Sequence, residues 1–156
     1  MLKINKDNYE YYKLIFSIIW EFQAECAKID KNAEYSPINV LNSWEKESTS
    51  KAQKGLKEGL NDFLIGIKDL PQNYLEILNS KLSEKELPKI EKLIAYFKNI
   101  PQKVLKKGKI SNLNEYYIIK EVIDDVNFNI SDTQKNELNK IFLDFESNYK
   151  KRKNIS

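Results

Sequence analysis

Apolar residues return every three or four positions from Tyr12 to Tyr149, and no segment longer than a few residues alternates apolar with polar as a strand would. That spacing confines the chain to packed helices, because each apolar stripe must be buried against another. Capping signals divide the pattern. Asp7 is placed to cap a first helix running to about Ile29, with Tyr12, Ile15, Phe16, Ile19, Phe22 and Cys26 on its inner face. Ser36-Pro37 opens a second helix through about Glu47, since proline suits the first helical position. Ser48-Thr49-Ser50 starts a third, faced by Ala52, Leu56, Leu60, Phe63, Leu64 and Ile67, and Asp69-Leu70-Pro71 ends it. A shorter helix carries Tyr74, Leu75, Leu78 and Leu82.

Ser83-Glu84-Lys85-Glu86 has the spacing of a capping box, opening a helix with Ile90, Leu93, Ile94 and Phe97. Pro101 interrupts, a short turn holds Val104 and Leu105, and Gly108 stops it. Asn112 with Glu115 forms a second box leading to about Val126. Ser131 with Gln134 begins the last helix, faced by Leu138, Ile141, Phe142, Phe145 and Tyr149. The expected fold is an all-α, single-domain bundle of about seven helices over 1–149, followed by a basic tail at 150–156. A chain of 156 residues buries enough surface to need no metal or disulfide.

Composition removes whole classes of chemistry. There is no histidine, which excludes imidazole proton shuttles, histidine metal sites and histidine-activated nucleophiles. Cys26 is the only cysteine, so intramolecular disulfides and thiolate zinc sites are excluded too. Four glycines leave no phosphate-cradling loop. No cofactor, metal or catalytic residue is expected. No apolar run approaches a membrane span, and Leu14 to Trp20, interrupted upstream by Asp7 and Glu10, is too short for an export signal, so the cytoplasm is the expected compartment.

The net charge of +3 is unevenly spread. Residues 1–80 balance at −2, residues 81–110 at +6 and residues 111–146 at −5, before the cations Lys150, Lys151, Arg152 and Lys153. Separate acidic and basic faces follow. Lys103, Lys106, Lys107, Lys109 and the terminal cations could grip phosphates. Arg152 is the sole arginine, however, which argues against base-specific DNA reading. The helix from Asn112 is also acidic where a recognition helix would meet phosphate.

Other constellations resolve into ordinary structure. Residues 125–136 resemble a calcium loop but hold Ile130 and Asn136 where glycine and a bidentate glutamate are required. Glu45 with Glu47, and Asp124 with Asp125, read as solvated acids because nothing marks a pocket near them. Cys26 reads as core.

Nine tyrosines and two tryptophans exceed what a core of this size needs. Tyr9, Tyr11 and Tyr12 cannot all face inward, and Tyr116 and Tyr117 stand beside Glu121, Asp124 and Asp125. Tyrosine rimmed by carboxylates suits a protein-binding surface. The candidate contacts are Glu115, Tyr116, Glu121, Asp124 and Asp125, with Asp132 beside them.

The run Glu115-Tyr116-Tyr117-Ile118-Ile119-Lys120-Glu121-Val122-Ile123-Asp124-Asp125 precedes a capped helix ending Phe142-Leu143-Asp144-Phe145-Glu146. Upstream, Leu87-Pro88 leads to Glu91, Leu93, Tyr96 and Phe97. Over about residues 83–146 this arrangement resembles small helical immunity proteins of bacterial polymorphic toxin systems, including contact-dependent growth inhibition. The resemblance implies a non-enzymatic inhibitor of a cognate toxin domain, of the nuclease kind. Such toxins are often cationic, and the −5 block at 111–146 is the matching surface. The competing expectation is a nucleic-acid-binding regulator of a mobile element, using the basic block.

Overall fold

A computed structural model describes residues 3–67 and 69–155. The described residues form eight helices and no strand. The eighth arises because the expected short turn at Val104-Leu105 is a complete helix. The chain packs as two compact units, Leu2–Ile90 and Glu91–Ser156.

The first unit holds α1 (Tyr9–Ala27), α2 (Pro37–Glu47), α3 (Thr49–Ile67) and α4 (Gln72–Glu84). Helix α1 packs against each of the other three, and α2 packs along α3. Ile15, Ile19, Leu56, Leu60, Leu64, Ile67, Leu78 and Leu82 are fully buried. Each such side chain contributes roughly 1.5–3 kcal/mol by leaving water. Glycine sets how closely two of these pairs approach. A Cβ at Gly59 would lie 2.8 Å from Phe16 Cε2, and one at Gly55 would collide with the Trp44 ring. The two glycines sit one turn apart on α3, so α1 and α2 each seat an aromatic ring where a side chain is missing.

Polar contacts close the rest of this unit. Ser36 Oγ accepts from Asn39 N at 3.2 Å, and Pro37 begins α2 as the sequence predicts. Glu45 accepts from the Tyr9 hydroxyl and pairs with Lys13 Nζ, both at 2.6 Å, which joins α2 to α1. Glu45 is therefore half-buried and engaged, not the solvated acid expected. Of the crowded tyrosines, Tyr12 is buried, Tyr9 makes this bond and Tyr11 is exposed.

The second unit holds α6 (Ile100–Lys107), α7 (Leu113–Asp124) and α8 (Asp132–Ile155), packed pairwise, with α5 (Ile90–Lys98) leading into it. Ile118, Ile119, Val122 and Leu138 are its buried centre, with Val104 beneath α6. Gly108 ends α6 at φ +75, donating its N–H to Val104 O, as the sequence predicts. Lys150 to Lys153 are helical turns of α8, so the expected tail is helix through Ile155, and Ser156 lies outside the described residues.

Three local expectations fail for identifiable reasons. The N-cap of α1 is Asn8, not Asp7, and its side chain turns back to accept from Asn5 N, so the helix starts one residue late. Ser83 to Glu86 ends a helix instead of opening one. Glu86 adopts φ 57, Glu86 N donates to Ser83 O, and Leu87 N donates to Leu82 O, the 5→2 and 6→1 pattern of a Schellman ending. The start of α5 is capped from elsewhere, by Asn79 Oδ1 accepting from Ile90 N at 2.8 Å. Lastly, Cys26 is exposed. Periodicity shows which face of α1 points inward but not how far its neighbours extend, and the burial of α1 ends at Ala24.

Candidate functional site

The six residues expected to bind a partner all lie in the second unit, on α7, its C-cap and the first turn of α8. They do not form one surface. Asn112 caps α7, its Oδ1 accepting from Glu115 N at 2.9 Å. The Glu115 carboxylate reaches back to Ser111 N at 3.1 Å and takes Lys107 Nζ at 2.7 and 2.9 Å. Lys107 also donates to Ser111 Oγ. Glu115 thus closes the corner between α6 and α7, and its charge is already matched.

Tyr116 is equally committed. Its ring stacks on Phe142 with centroids 4.8 Å apart and planes within 5°, and on Phe145 at 5.3 Å. Its hydroxyl donates to Glu146 Oε1 at 2.7 Å. That bond, with burial behind it, pushes the phenol up to about 12, because ionisation would set a phenolate against a carboxylate. Tyr116 is the aromatic pin between α7 and α8.

Asp125 follows the last turn of α7. Oδ1 accepts from Asn127 N at 3.0 Å, and Oδ2 lies 2.7 Å from Lys92 Nζ, a charge contact without hydrogen-bond alignment. Burial alone would raise this carboxyl. The Lys92 ammonium and the Asn127 N–H outweigh it and hold Asp125 below the ordinary carboxylate value. Asp125 secures α5 to the loop before α8, so it is not the solvated acid expected.

What remains faces outward. Asp124 is exposed and makes no ion pair among the described residues. Asp132 is exposed in the first turn of α8, where the helix dipole favours it. That turn is held by the expected box, Gln134 N donating to Ser131 Oγ and Ser131 N to Gln134 Oε1. Glu121 is half-buried and held by an interaction within the protein.

Of the adjacent tyrosines on α7, the exposed one is Tyr117, which is 46% accessible. It sits edge-on to Tyr116, with centroids 5.3 Å apart. Leu113, Tyr117, Lys120 and Asp124 are all exposed and recur at helical spacing, so they form one outward stripe on α7, opposite Ile118 and Val122. The spacing 113, 117, 120, 124 was available in the sequence, but the adjacent tyrosines hid which one belongs to it. Val126, beyond the helix end, is 84% accessible.

A short row of apolar, aromatic, ammonium and carboxylate groups on a helix presents contact area and charge of both signs. No helix among the described residues is long and apolar enough to cross a membrane. Comparison of the chain with protein-family models, with curated proteins and with solved structures finds no match in any of the three.

Proposed function

We propose that this chain is an immunity protein that binds and neutralises a cognate toxin domain, a nuclease of a contact-dependent growth inhibition or related polymorphic toxin system. The observation that supports it most is the outward stripe of α7, where Tyr117 and Leu113 stand exposed in line with the unpaired Asp124. Exposed tyrosine near uncompensated carboxylate fits a cationic protein partner. The resemblance of residues 83–146 to helical immunity proteins points the same way. In this reading the protein is not an enzyme, needs no cofactor, and acts stoichiometrically in the cytoplasm of the producing cell. Asp132 lends long-range attraction, while Glu115, Tyr116 and Asp125 hold the scaffold.

A second reading has its own observation. Residues 92–114 contain six lysines and no acid, and Lys103, Lys106 and Lys109 have no ion-pair partner among the described residues. A nucleic-acid-binding regulator would use that surface.

A tagged pull-down from the native host, with mass spectrometry and a nucleic-acid assay on the eluate, separates the two. The immunity reading expects one near-stoichiometric partner, the C-terminal part of a large secreted protein, with binding weakened in Tyr117→Ala and Asp124→Lys. Recovery of RNA or DNA alone, released between about 50 and 200 mM salt, would overturn it.

A further inference from the structure

In the first unit, α1 carries an outward seam as regular as its buried one. Tyr11, Leu14, Ile18, Glu21 and Glu25 recur at alternating intervals of three and four, the spacing of a coiled-coil contact line. Tyr11 and Leu14 are 44% and 43% accessible, Ile18 is half-buried, and both glutamates are exposed. Packing of α1 against α2, α3 and α4 buries Ile15, Ile19 and Phe22 and leaves this second line largely in water. Beside Ile18 the seam borders a cleft of about 310 Å³, whose other residues are Lys81, Glu84 and Lys85 at the end of α4 and Lys31 after α1. The cleft holds three acids, Glu21, Glu25 and Glu84, against those three lysines. Glu21 lies 3.7 Å from Lys31 and Glu25 lies 3.6 Å from Lys81, too far for hydrogen bonds. Glu84 and Lys85 have no ion-pair partner among the described residues.

We propose that this face binds a second copy of the chain, with the two α1 helices antiparallel. The spacing decides the register. Steps of three, four and three from Tyr11 to Glu21 read the same in both directions. An antiparallel copy therefore fits with Leu14 against Ile18 of the other copy, and Tyr11 against its Glu21. Apolar side chains then meet apolar side chains, and Glu21 meets a phenol, as Glu45 meets Tyr9 and Glu146 meets Tyr116 inside the chain. A parallel copy would set Glu21 on Glu21 and Glu25 on Glu25, and like charges oppose that. Because α1 begins at Tyr9, the seam ends before Asp7 could face Glu25. Two-fold symmetry makes every contact twice, so Glu84 takes Lys85 of the other copy while Lys85 takes its Glu84. A cleft whose charges sum to zero matches itself and gives no pull on a polyanion or a strongly cationic partner. The surface is separate from the outward stripe of α7, and it stands whether or not the chain binds a toxin.

The test is sedimentation velocity of the full chain from about 10 µM to about 1 mM, a range chosen because so short a seam makes a weak interface. The expected result is a reversible monomer–dimer equilibrium, with amide resonances of residues 11–25 and 81–85 moving as the concentration rises. Leu14→Lys should weaken the dimer about tenfold or more, because it sets two cations in the apolar centre. Glu84→Lys should weaken it less. Adding Lys85→Glu to that variant should restore the wild-type equilibrium, since the exchanged charges are complementary again. Leu14 and Glu84 are exposed, and circular dichroism of each variant checks that it folds. A chain that is monomeric at about 1 mM would overturn the proposal. So would a dimer that Leu14→Lys leaves intact, or concentration-dependent shifts confined to α7 and α8, which would place the contact elsewhere. A doubly exchanged protein no tighter than Glu84→Lys alone would overturn the two-fold arrangement.

Discussion

The inner and outer faces of α7 carry similar residue types and put them to opposite uses. On the inner side, Tyr116 is stacked on Phe142 and Phe145 and bonded to Glu146, and Glu115 is clasped by Lys107. On the outer side, Tyr117 and Asp124 meet solvent. The contrast repeats at the helix end, where Asp124 is free and Asp125 is anchored to Lys92. One position along a helix is a rotation of about 100°, enough to exchange a packing role for a recognition role. Residue type therefore says little here until direction is known.

The largest expected effect falls on the tyrosine pair. Tyr116→Ala removes a half-buried aromatic ring packed between two helices and leaves Glu146 without its donor, so it should cost about 2–3 kcal/mol. Tyr117→Ala should cost under about 1 kcal/mol, because an exposed ring loses little burial. Urea denaturation of both variants reads the difference directly. Equal losses would erase the distinction between the two faces.

Asp125 comes next. Asp125→Asn removes the charge opposite the Lys92 ammonium and should cost about 1 kcal/mol near neutral pH. Asp125 has a folded pKa below its unfolded value, so its contribution is present above about pH 4 and lost as the pH falls through the folded value. Wild type and Asp125→Asn should therefore converge in stability on acidification. Parallel stability curves for wild type and Asp125→Asn would mean the Lys92 contact carries no weight.

Tyr116→Phe tests the hydroxyl separately from the ring and should cost about 1 kcal/mol. The Tyr116 phenol is raised to about 12 in the folded state against about 10 when unfolded, so the bond to Glu146 stabilises fully below pH 10 and is lost as the pH rises toward 12. Chemical denaturation across that window should bring the variant and wild type together. Spectroscopic titration at 295 nm should lose a tyrosine signal near 12 in Tyr116→Phe, while Tyr9, raised higher still by burial and its bond to Glu45, remains.

The all-helical architecture was legible because apolar spacing and capping residues reinforce one another over long segments. Ser36-Pro37, Gly108 and the Ser131–Gln134 box all act as their chemistry predicts. Two kinds of error remained. Ser83 to Glu86 fits a helix start by spacing, and only the left-handed Glu86 distinguishes the Schellman ending, a backbone state that glutamate does not advertise. Partners were harder still. Glu45 and Asp125 look like free acids in sequence because Lys13 and Lys92 reach them from other helices, and the Asn112–Glu115 box gives no sign that Lys107 also takes the Glu115 carboxylate. For the same reason Glu115, Tyr116 and Asp125, expected at an open surface, are engaged within the protein.

The smallest stability change should come from Asp124→Lys, and its sign is informative. Asp124 ends α7, where the helix dipole disfavours a negative charge, and α7 has no basic residue in its last turn. Replacing it with lysine should stabilise the protein by about 0.3–1 kcal/mol at low ionic strength, an increment that added salt removes. Asp132→Lys, made at the start of α8, should shift stability the other way by a similar amount. If the outward stripe binds a cationic partner, Asp124→Lys should give a more stable monomer that holds its partner more weakly and associates with it more slowly. Asp124 thus opposes helix stability on a face that stays exposed among the described residues. A more stable Asp124→Lys protein with undiminished affinity would remove Asp124 from the interface and leave Tyr117 and Leu113 as its candidates.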